Sequence, residues 1–292
     1  MRIDPRKSFI YLPPSKNLNH ATFRPYSPQR YFAYLTWTDI EALPDKDKTI
    51  IIQPLGSIEQ HGPHLPLVVD AAISEGILGK ALQTLTMEIP AYVLPTLYYG
   101  KSNEHMGFPG VITLSAETLL AILKEVAASL YQSGFRKWIL LNSHGGQIQV
   151  LEIAARDLHQ IYPDLQIFPF FTWRMPHCAA DLLTPKEMTH GIHAGDGETS
   201  LMMALWPELV REDRLVKEFP QGIPADGELL SMEGSLPFAW LTKEVSRSGV
   251  MGDATVATKE KGEVLLNCLA DGCRQAIEAV YHFQPPSLDR KG

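Results

Sequence analysis

The sequence is poor in several features that would point to particular protein classes. It has 3 cysteines in 292 residues, and Cys178, Cys268 and Cys273 show no ligand-like spacing and leave an odd thiol. We therefore expect no disulfide framework, as in proteins of a reducing cytosol. No apolar run reaches the roughly 18 residues of a membrane helix, and residues 1–14 lack a signal-peptide core. We expect a cytoplasmic protein with no membrane partner.

Positive charge is also scarce. The chain has 26 lysines and arginines against 33 aspartates and glutamates, which gives a formal net charge of -7. Binding to nucleic acid normally requires a basic patch or stripe, so we expect no nucleic-acid partner. The composition, 45% hydrophobic and 20% charged, is that of an ordinary soluble globular protein.

Apolar runs alternate with helical patterns through most of the chain. The runs at 49–53, 91–95, 137–142 and 166–171 indicate buried strands, and the amphipathic patterns at 71–87, 115–131, 147–161 and 259–281 indicate helices. Alternating strands and helices predict a three-layer α/β fold, with a largely parallel sheet flanked by helices and right-handed crossovers.

The chain divides into one large domain with short extensions. Residues 1–33 are rich in proline and have no periodic pattern, so we interpret them as an N-terminal arm, residues 34–284 as the domain and residues 285–292 as a tail. Two interpretations of the arm stay open: an aromatic segment that docks on a neighbouring subunit, or a partly disordered tail.

Ionisable residues concentrate in the loop after the first predicted strand. Glu59 and His61 are separated by one residue, so in an extended segment both side chains point to the same side. Asp70 follows at the start of a helical pattern. Carboxylates and imidazoles suit zinc, manganese or iron, although Asp70 could instead cap the helix and Glu59 and His61 could be solvated loop residues.

Two further segments contain residues of the same kind. His144 follows the third strand in Asn142-Ser-His-Gly-Gly146, where the two glycines let a substrate approach the backbone. Glu198 lies in His193-Ala-Gly-Asp-Gly-Glu-Thr-Ser200, at the beginning of a helix, where a carboxylate could simply interact with the helix dipole. Parallel α/β sheets bind ligands at the carboxyl ends of their strands.

The three motifs together resemble those of the creatininase family of binuclear metal amidohydrolases. The resemblance covers about residues 34–280, with the motifs in the family's order and spacing. It implies a creatininase-like fold and two divalent ions per chain (Zn, Mn or Fe) that hold a bridging hydroxide. By resemblance Asp70 bridges the ions, Glu59 and His144 complete one site, and His61 and Glu198 complete the other.

The resemblance also implies roles around the metal pair. His193 matches the family's catalytic histidine, which assists proton transfer to the leaving nitrogen, although it could be a helix-entry histidine without a chemical task. We expect Gly145, Gly146, Trp173 and His105 to contact a small-molecule substrate. His64 and Asp196 are further pocket-rim residues that the sequence ranks no higher than surface or core groups.

One position departs from the creatinine-hydrolysing members. They carry a glutamate two residues after the histidine that corresponds to His144, and this chain has Gly146 there. We therefore expect hydrolysis of another small cyclic amide, formamide or related C–N bond, by a homo-oligomer that is a hexamer by resemblance. The alternatives are a family hydrolase of a peptide or keto-inositol, and a metal- or ligand-binding module without turnover.

Overall fold

Four parallel strands form the central sheet, as the alternating pattern predicts. The computed structural model describes residues 26–225 and 227–286, and the strands are β1 (Ile50–Leu55), β2 (Ala91–Val93), β3 (Lys137–Asn142) and β4 (Gln166–Phe171). Their order in the sheet is β2-β1-β3-β4, so the chain crosses over the sheet between strands. All four carboxyl ends therefore lie along one edge, where ligands bind in folds of this kind.

Nine α-helices surround or connect these strands in the described residues. They are α1 (Trp37–Ala42), α2 (Val69–Thr84), α3 (Ala116–Gln132), α4 (Ile148–Ile161), α5 (Ala179–Leu182), α6 (Pro185–His190), α7 (Asp196–Leu205), α8 (Thr242–Val245) and α9 (Lys259–His282). A short antiparallel pair, β5 (Lys217–Glu218) and β6 (Gly252–Asp253), orders part of the loop-rich region after α7. No helix among these is both long and apolar enough to cross a membrane.

The sheet is covered on both faces, which gives the predicted three layers. Successive side chains of a strand point to opposite faces. Ile50 and Ile52 pack with the apolar residues of α2, α7 and α9, whereas Ile51 packs with those of α3 and α4 on the other side. Every residue of β1 and β3 is buried, and this explains why these strands have continuous apolar sequences without alternation.

Helices α7 and α9 approach each other at a glycine. Gly262 lies on the face of α9 that meets α7, and a Cβ atom at this position would overlap the backbone carbonyl of Ser200. The hydroxyl of Ser200 also accepts the backbone N–H of Thr258, at 3.2 Å. This contact holds the beginning of α9 against the helix that carries Glu198.

The predicted arm and tail lie mostly outside the described residues. Where the arm is described, Tyr26 and Arg30 are buried against the domain. The Arg30 guanidinium donates to the backbone carbonyls of Ile89, at 3.0 Å, and Thr86, at 2.9 Å. The last part of the arm thus docks on its own chain, beside β2.

The expectation of a chain without a disulfide framework is wrong for one pair of cysteines. Cys178, which precedes α5, is bonded to Cys268 on α9, and their Cα atoms are 6.0 Å apart. The two cysteines are separated by 90 residues in the sequence, so their proximity depends on the packing of α5 against α9 and not on any local spacing. Cys273 is the odd, buried thiol.

Candidate metal centre

The predicted metal ligands meet at the carboxyl edge of the sheet. Glu59 and His61 lie in the loop between β1 and α2, Asp70 is the second residue of α2, and His144 follows β3. All four are almost completely buried, with exposures of 0–3%. Glu198, in the first turn of α7, completes the cluster, and its side chain is 14% exposed. The fold therefore brings together all five side chains that the sequence singled out.

Two groups of possible ligand atoms share Asp70. Within each group the atoms lie within 4.8 Å of one another: one group is Glu59, Asp70 and His144, and the other is His61, Asp70 and Glu198. In the first group Nδ1 of His144 is 3.1 Å from Glu59 Oε2 and 3.8 Å from Asp70 Oδ2. In the second, Nε2 of His61 is 3.7 Å from Asp70 Oδ1 and 3.9 Å from Glu198 Oε2.

Backbone carbonyls orient both imidazoles. A carbonyl can only accept a hydrogen bond, so Nδ1 of His61 donates to the carbonyl of Glu59, at 3.3 Å, and Nε2 of His144 donates to that of Lys101, at 3.0 Å. The other nitrogen of each ring is then the one that faces the carboxylates. Such hydrogen bonds are typical of metal-ligating histidines, because they fix the ring and its tautomer.

The residues present fit a divalent cation. Nε2 of His61 is buried and has no hydrogen-bond partner among the described residues. Its separations of 3.7 Å and 3.9 Å from two carboxylate oxygens are too long for hydrogen bonds. They are suitable for two ligand atoms that each lie about 2.0–2.2 Å from one ion.

The cluster also has the electrostatics of a cation site. Burial alone would raise the pKa of Glu59, but the nearby imidazoles of His144 and His105 hold that pKa well below its ordinary value. Burial disfavours a charged His61, yet the carboxylates around it raise its pKa to about 9. Burial raises the pKa of Glu198 to about 7, although the adjacent imidazole opposes the rise. Metal binding here would displace protons from imidazole nitrogens.

His193 lies beside Glu59, near the carboxylate oxygen Oε1, whereas His144 lies near Oε2. The backbone of His193 pairs with that of Met251, through hydrogen bonds of 3.2 Å and 2.8 Å, and its Nε2 donates to the carbonyl of Gln60, at 2.6 Å. Burial holds its pKa well below the ordinary value. Its Nδ1, 3.7 Å from Glu59 Oε1, is then unprotonated. The possible ligand atoms of Glu59, His61 and His193 also lie close enough together to hold one ion. The geometry therefore permits His193 to act either as a metal ligand or as a proton acceptor.

A cavity of about 310 Å³ opens onto the centre. His144, His193, Glu198, Gly145 and Trp173 all line it, together with Arg174, Phe171 and Glu233. This volume lies at the lower end of the usual range for small-molecule sites, which is about 300–1,000 Å³. Two of the four expected substrate contacts, Gly145 and Trp173, thus lie on the cavity wall.

The other two expected substrate contacts lie elsewhere. His105 is buried behind the centre, where its Nε2 is 3.3 Å from Glu59 Oε1, and the Cα of Gly146 is turned towards Glu104. Of the two rim residues, His64 contacts the Thr199 hydroxyl at 2.9 Å, and the buried carboxylate of Asp196 forms an ion pair with the partly exposed Lys261. None of these four residues lines the cavity.

Sequence reasoning missed several polar residues around the ligands. The hydroxyl of Ser57 donates to Asp70, that of Ser102 donates to Glu59, and the Gln60 amide lies between His105 and His193. Ser57 and Gln60 could have been found only because they lie within the first motif. Ser102 belongs to the glycine-rich stretch after β2, whose composition is typical of a pocket wall but singles out no residue.

The fold and the cluster define the class of this protein: a three-layer α/β protein with candidate metal sites at the carboxyl edge of its sheet. Comparison with known proteins identifies the family to which the chain belongs. The family model described as creatinine amidohydrolase matches residues 33–277, and the chain belongs to this creatininase family. The creatinine amidohydrolase of Pseudomonas putida is 28% identical over 270 residues, which cover 87% of this chain and 96% of that protein.

Two other relatives are named for different activities. A mycofactocin precursor peptide peptidase of Mycobacterium ulcerans is 33% identical over 249 residues, or 80% of this chain and 86% of that protein. A 3-dehydro-scyllo-inosose hydrolase of Thermotoga maritima is 30% identical over 273 residues, which cover 87% of this chain and 85% of that protein. All three relatives are hydrolases, and this chain is a creatininase-family hydrolase.

Solved structures support the same assignment. The crystal structure of a creatinine amidohydrolase (creatininase) superposes with a TM-score of 0.68 at 25% identity and covers 88% of this chain and 100% of that one. A glutamate-to-glutamine mutant creatininase, described as a zinc–zinc type, has the same TM-score, identity and coverage. The creatininase-like fold expected from the sequence is therefore confirmed.

Proposed function

We propose that this protein is a binuclear metal-dependent amidohydrolase that cleaves a small cyclic amide, a formamide or a related C–N bond. One observation carries the proposal: two groups of ligand atoms share Asp70 beside the unpartnered Nε2 of His61. Glu59, Asp70 and His144 would hold one ion. His61, Asp70 and Glu198 would hold the other.

Bound there, two divalent ions would activate water at neutral pH and polarise the scissile carbonyl. The chain's own residues determine how a substrate meets that chemistry. Trp173 and Phe171 provide an apolar wall and Arg174 and Glu233 a charged one, which suits a small ring with polar substituents. The ordered loop around Gly145 forms the wall next to His144.

His193 is the residue that we assign to proton transfer. Its Nε2–H is engaged by the Gln60 carbonyl, so the ring is held in one orientation with its free Nδ1 towards the centre. A neutral imidazole in this position can accept a proton from water and deliver it to the leaving nitrogen. Because the hydrogen bond to Gln60 holds the imidazole in one orientation, the side chain would not need to rotate for this transfer.

The relatives support a second candidate within the same chemistry. The relatives include a mycofactocin precursor peptide peptidase and a 3-dehydro-scyllo-inosose hydrolase. A second cavity, of about 460 Å³, shares Ile192 and Glu233 with the first, and a longer substrate such as a peptide could extend into it. Peptide and keto-inositol substrates therefore belong in the same assay panel as amides, formamides and creatinine.

Metal analysis and a substrate screen test the proposal. The purified protein should contain close to two divalent ions per chain, and Asp70→Ala should lose both, because its carboxylate belongs to both groups. Asp271→Ala, which removes an exposed carboxylate on α9, is the control and should retain both ions. Retention of full metal content by Asp70→Ala would reject the bridging role. A metal-replete protein that is inert towards the panel would support a binding module without turnover.

A further inference from the structure

The carboxylate of Glu104 occupies the space beside His144 that a side chain at position 146 would fill. A Cβ atom added to Gly146 would overlap Oε1 of Glu104 and would crowd Nε2 of His144. A side chain at position 146 would therefore have to displace the Glu104 carboxylate. Position 146 carries no carboxylate of its own, but the Glu104 carboxylate is present in the same space.

The contact with His144 is direct. Oε1 of Glu104 is 2.9 Å from Nε2 of His144, and the Glu104 side chain is only 15% exposed. The same Nε2 donates to the Lys101 carbonyl, at 3.0 Å, so the carboxylate lies beside an N–H that is already hydrogen-bonded. Oε1 of Glu104 is buried and has no hydrogen-bond partner within the described part of the chain. Nε2 of His144 is thus the ion-pair partner of this buried oxygen.

The two loops are fixed relative to each other. The backbone N–H of Lys101 donates to Gln147 Oε1, at 3.1 Å, and its ammonium donates to the Gly146 carbonyl, at 3.4 Å. Glu104 follows in a short 3₁₀ turn, Asn103–His105. These contacts hold the loop after β2 against the loop after β3, which is why the Glu104 carboxylate lies in a defined position.

We infer that Glu104 is a positioning residue of the metal centre: from the loop after β2 it supplies a carboxylate beside His144, in the space that a side chain at position 146 would fill. Its carboxylate, 2.9 Å from Nε2 of His144, favours the tautomer with the hydrogen on that nitrogen, so that Nδ1 is free to face Glu59 and Asp70. The inference rests on the proposed function, because orienting Nδ1 matters only if His144 binds an ion. It also means that Gly146 alone does not exclude substrates that need a carboxylate here.

Metal affinity measured on four variants tests the inference without a known substrate. Glu104→Gln and Glu104→Gly should weaken the binding of one of two zinc ions by about 10–100-fold, as measured by competition with a chelator. Glu104→Gln keeps the side-chain volume, so it separates the lost charge from a packing defect. Gly146→Glu alone should also weaken binding, because two carboxylates then compete for one place.

The decisive variant is Glu104→Gly combined with Gly146→Glu. It moves the carboxylate to position 146 and should bind zinc more tightly than either single variant. The gain over Glu104→Gly is the informative comparison, because relief of the overlap at position 146 would by itself improve on Gly146→Glu. Glu88→Gln, an exposed glutamate in the loop before β2, is the matched control and should bind both ions normally. Circular dichroism and thermal unfolding confirm that each variant is folded.

The outcomes separate this inference from the proposed function. If the wild type binds two ions and Glu104→Gln binds them equally tightly, the positioning role is wrong while the metal centre stands. The same holds if the double variant is no better than Glu104→Gly. If the wild type binds no ion, the proposed function fails, and the inference fails with it.

Discussion

Replacing His193 distinguishes its two possible roles, metal ligand and proton acceptor. We expect His193→Asn to lower kcat by roughly 10²–10⁴-fold, the usual contribution of a positioned general acid–base group, and to retain two ions per chain. The reason is that Nε2 donates to the Gln60 carbonyl at 2.6 Å, while Nδ1 lies 3.7 Å from the nearest oxygen of Glu59. The free nitrogen is therefore close to the centre but not required by either group that shares Asp70.

The assay combines steady-state kinetics on the best substrate of the panel with metal analysis of the same preparation. Asn is shorter than His and cannot transfer a proton at neutral pH, so kcat should fall with little change in metal content. His159→Asn is the control, since that histidine lies at the end of α4 and contacts the Leu165 carbonyl. Loss of one ion from His193→Asn would show that His193 is a ligand and would refute our assignment.

Two further predictions concern stability. Without metal, the raised pKa of His61, about 9, favours the folded state below the unfolded pKa of about 6.5. That contribution, on the order of 3 kcal/mol, should be lost as the pH rises through 9. Glu198, with a pKa raised to about 7, acts in the same direction. Urea unfolding of chelated protein should therefore show lower stability at pH 9 than at pH 6.5, and zinc should remove most of the difference; a flat profile without metal would contradict the electrostatic account. At the contact between α7 and α9, Gly262→Ala should destabilise the protein by about 1–3 kcal/mol, because its Cβ would overlap the Ser200 carbonyl. Asn267→Ala, on the exposed face of α9, should have little effect, and equal unfolding midpoints for the two variants would refute the packing argument.

Local patterns predicted the strands well because buried parallel strands have continuous apolar sequences. The predicted bounds of β3 and β4 agree with the structure, and β1 differs by one or two residues at its ends. Strand β2 ends at Val93, whereas the apolar run suggested Pro95. That run continues because Leu94 still packs in the core, although the regular pairing of β2 with β1 has ended.

The sequence predicts only in part which residues meet at the site. Motifs at the ends of β1 and β3 must share an edge in a parallel sheet, so the proximity of Glu59, His61 and His144 follows from the fold class. The position of Glu104 does not follow from it, because its contact with His144 depends on how two loops pack. The Cys178–Cys268 bond was missed for the same reason, as it joins elements 90 residues apart.

Anomalous diffraction from crystals of the zinc-loaded protein tests the central claim most directly. The account predicts two zinc peaks on either side of the Asp70 carboxylate, one bounded by Glu59 and His144 and the other by His61 and Glu198. A single peak, or peaks that do not contact Asp70, would contradict it.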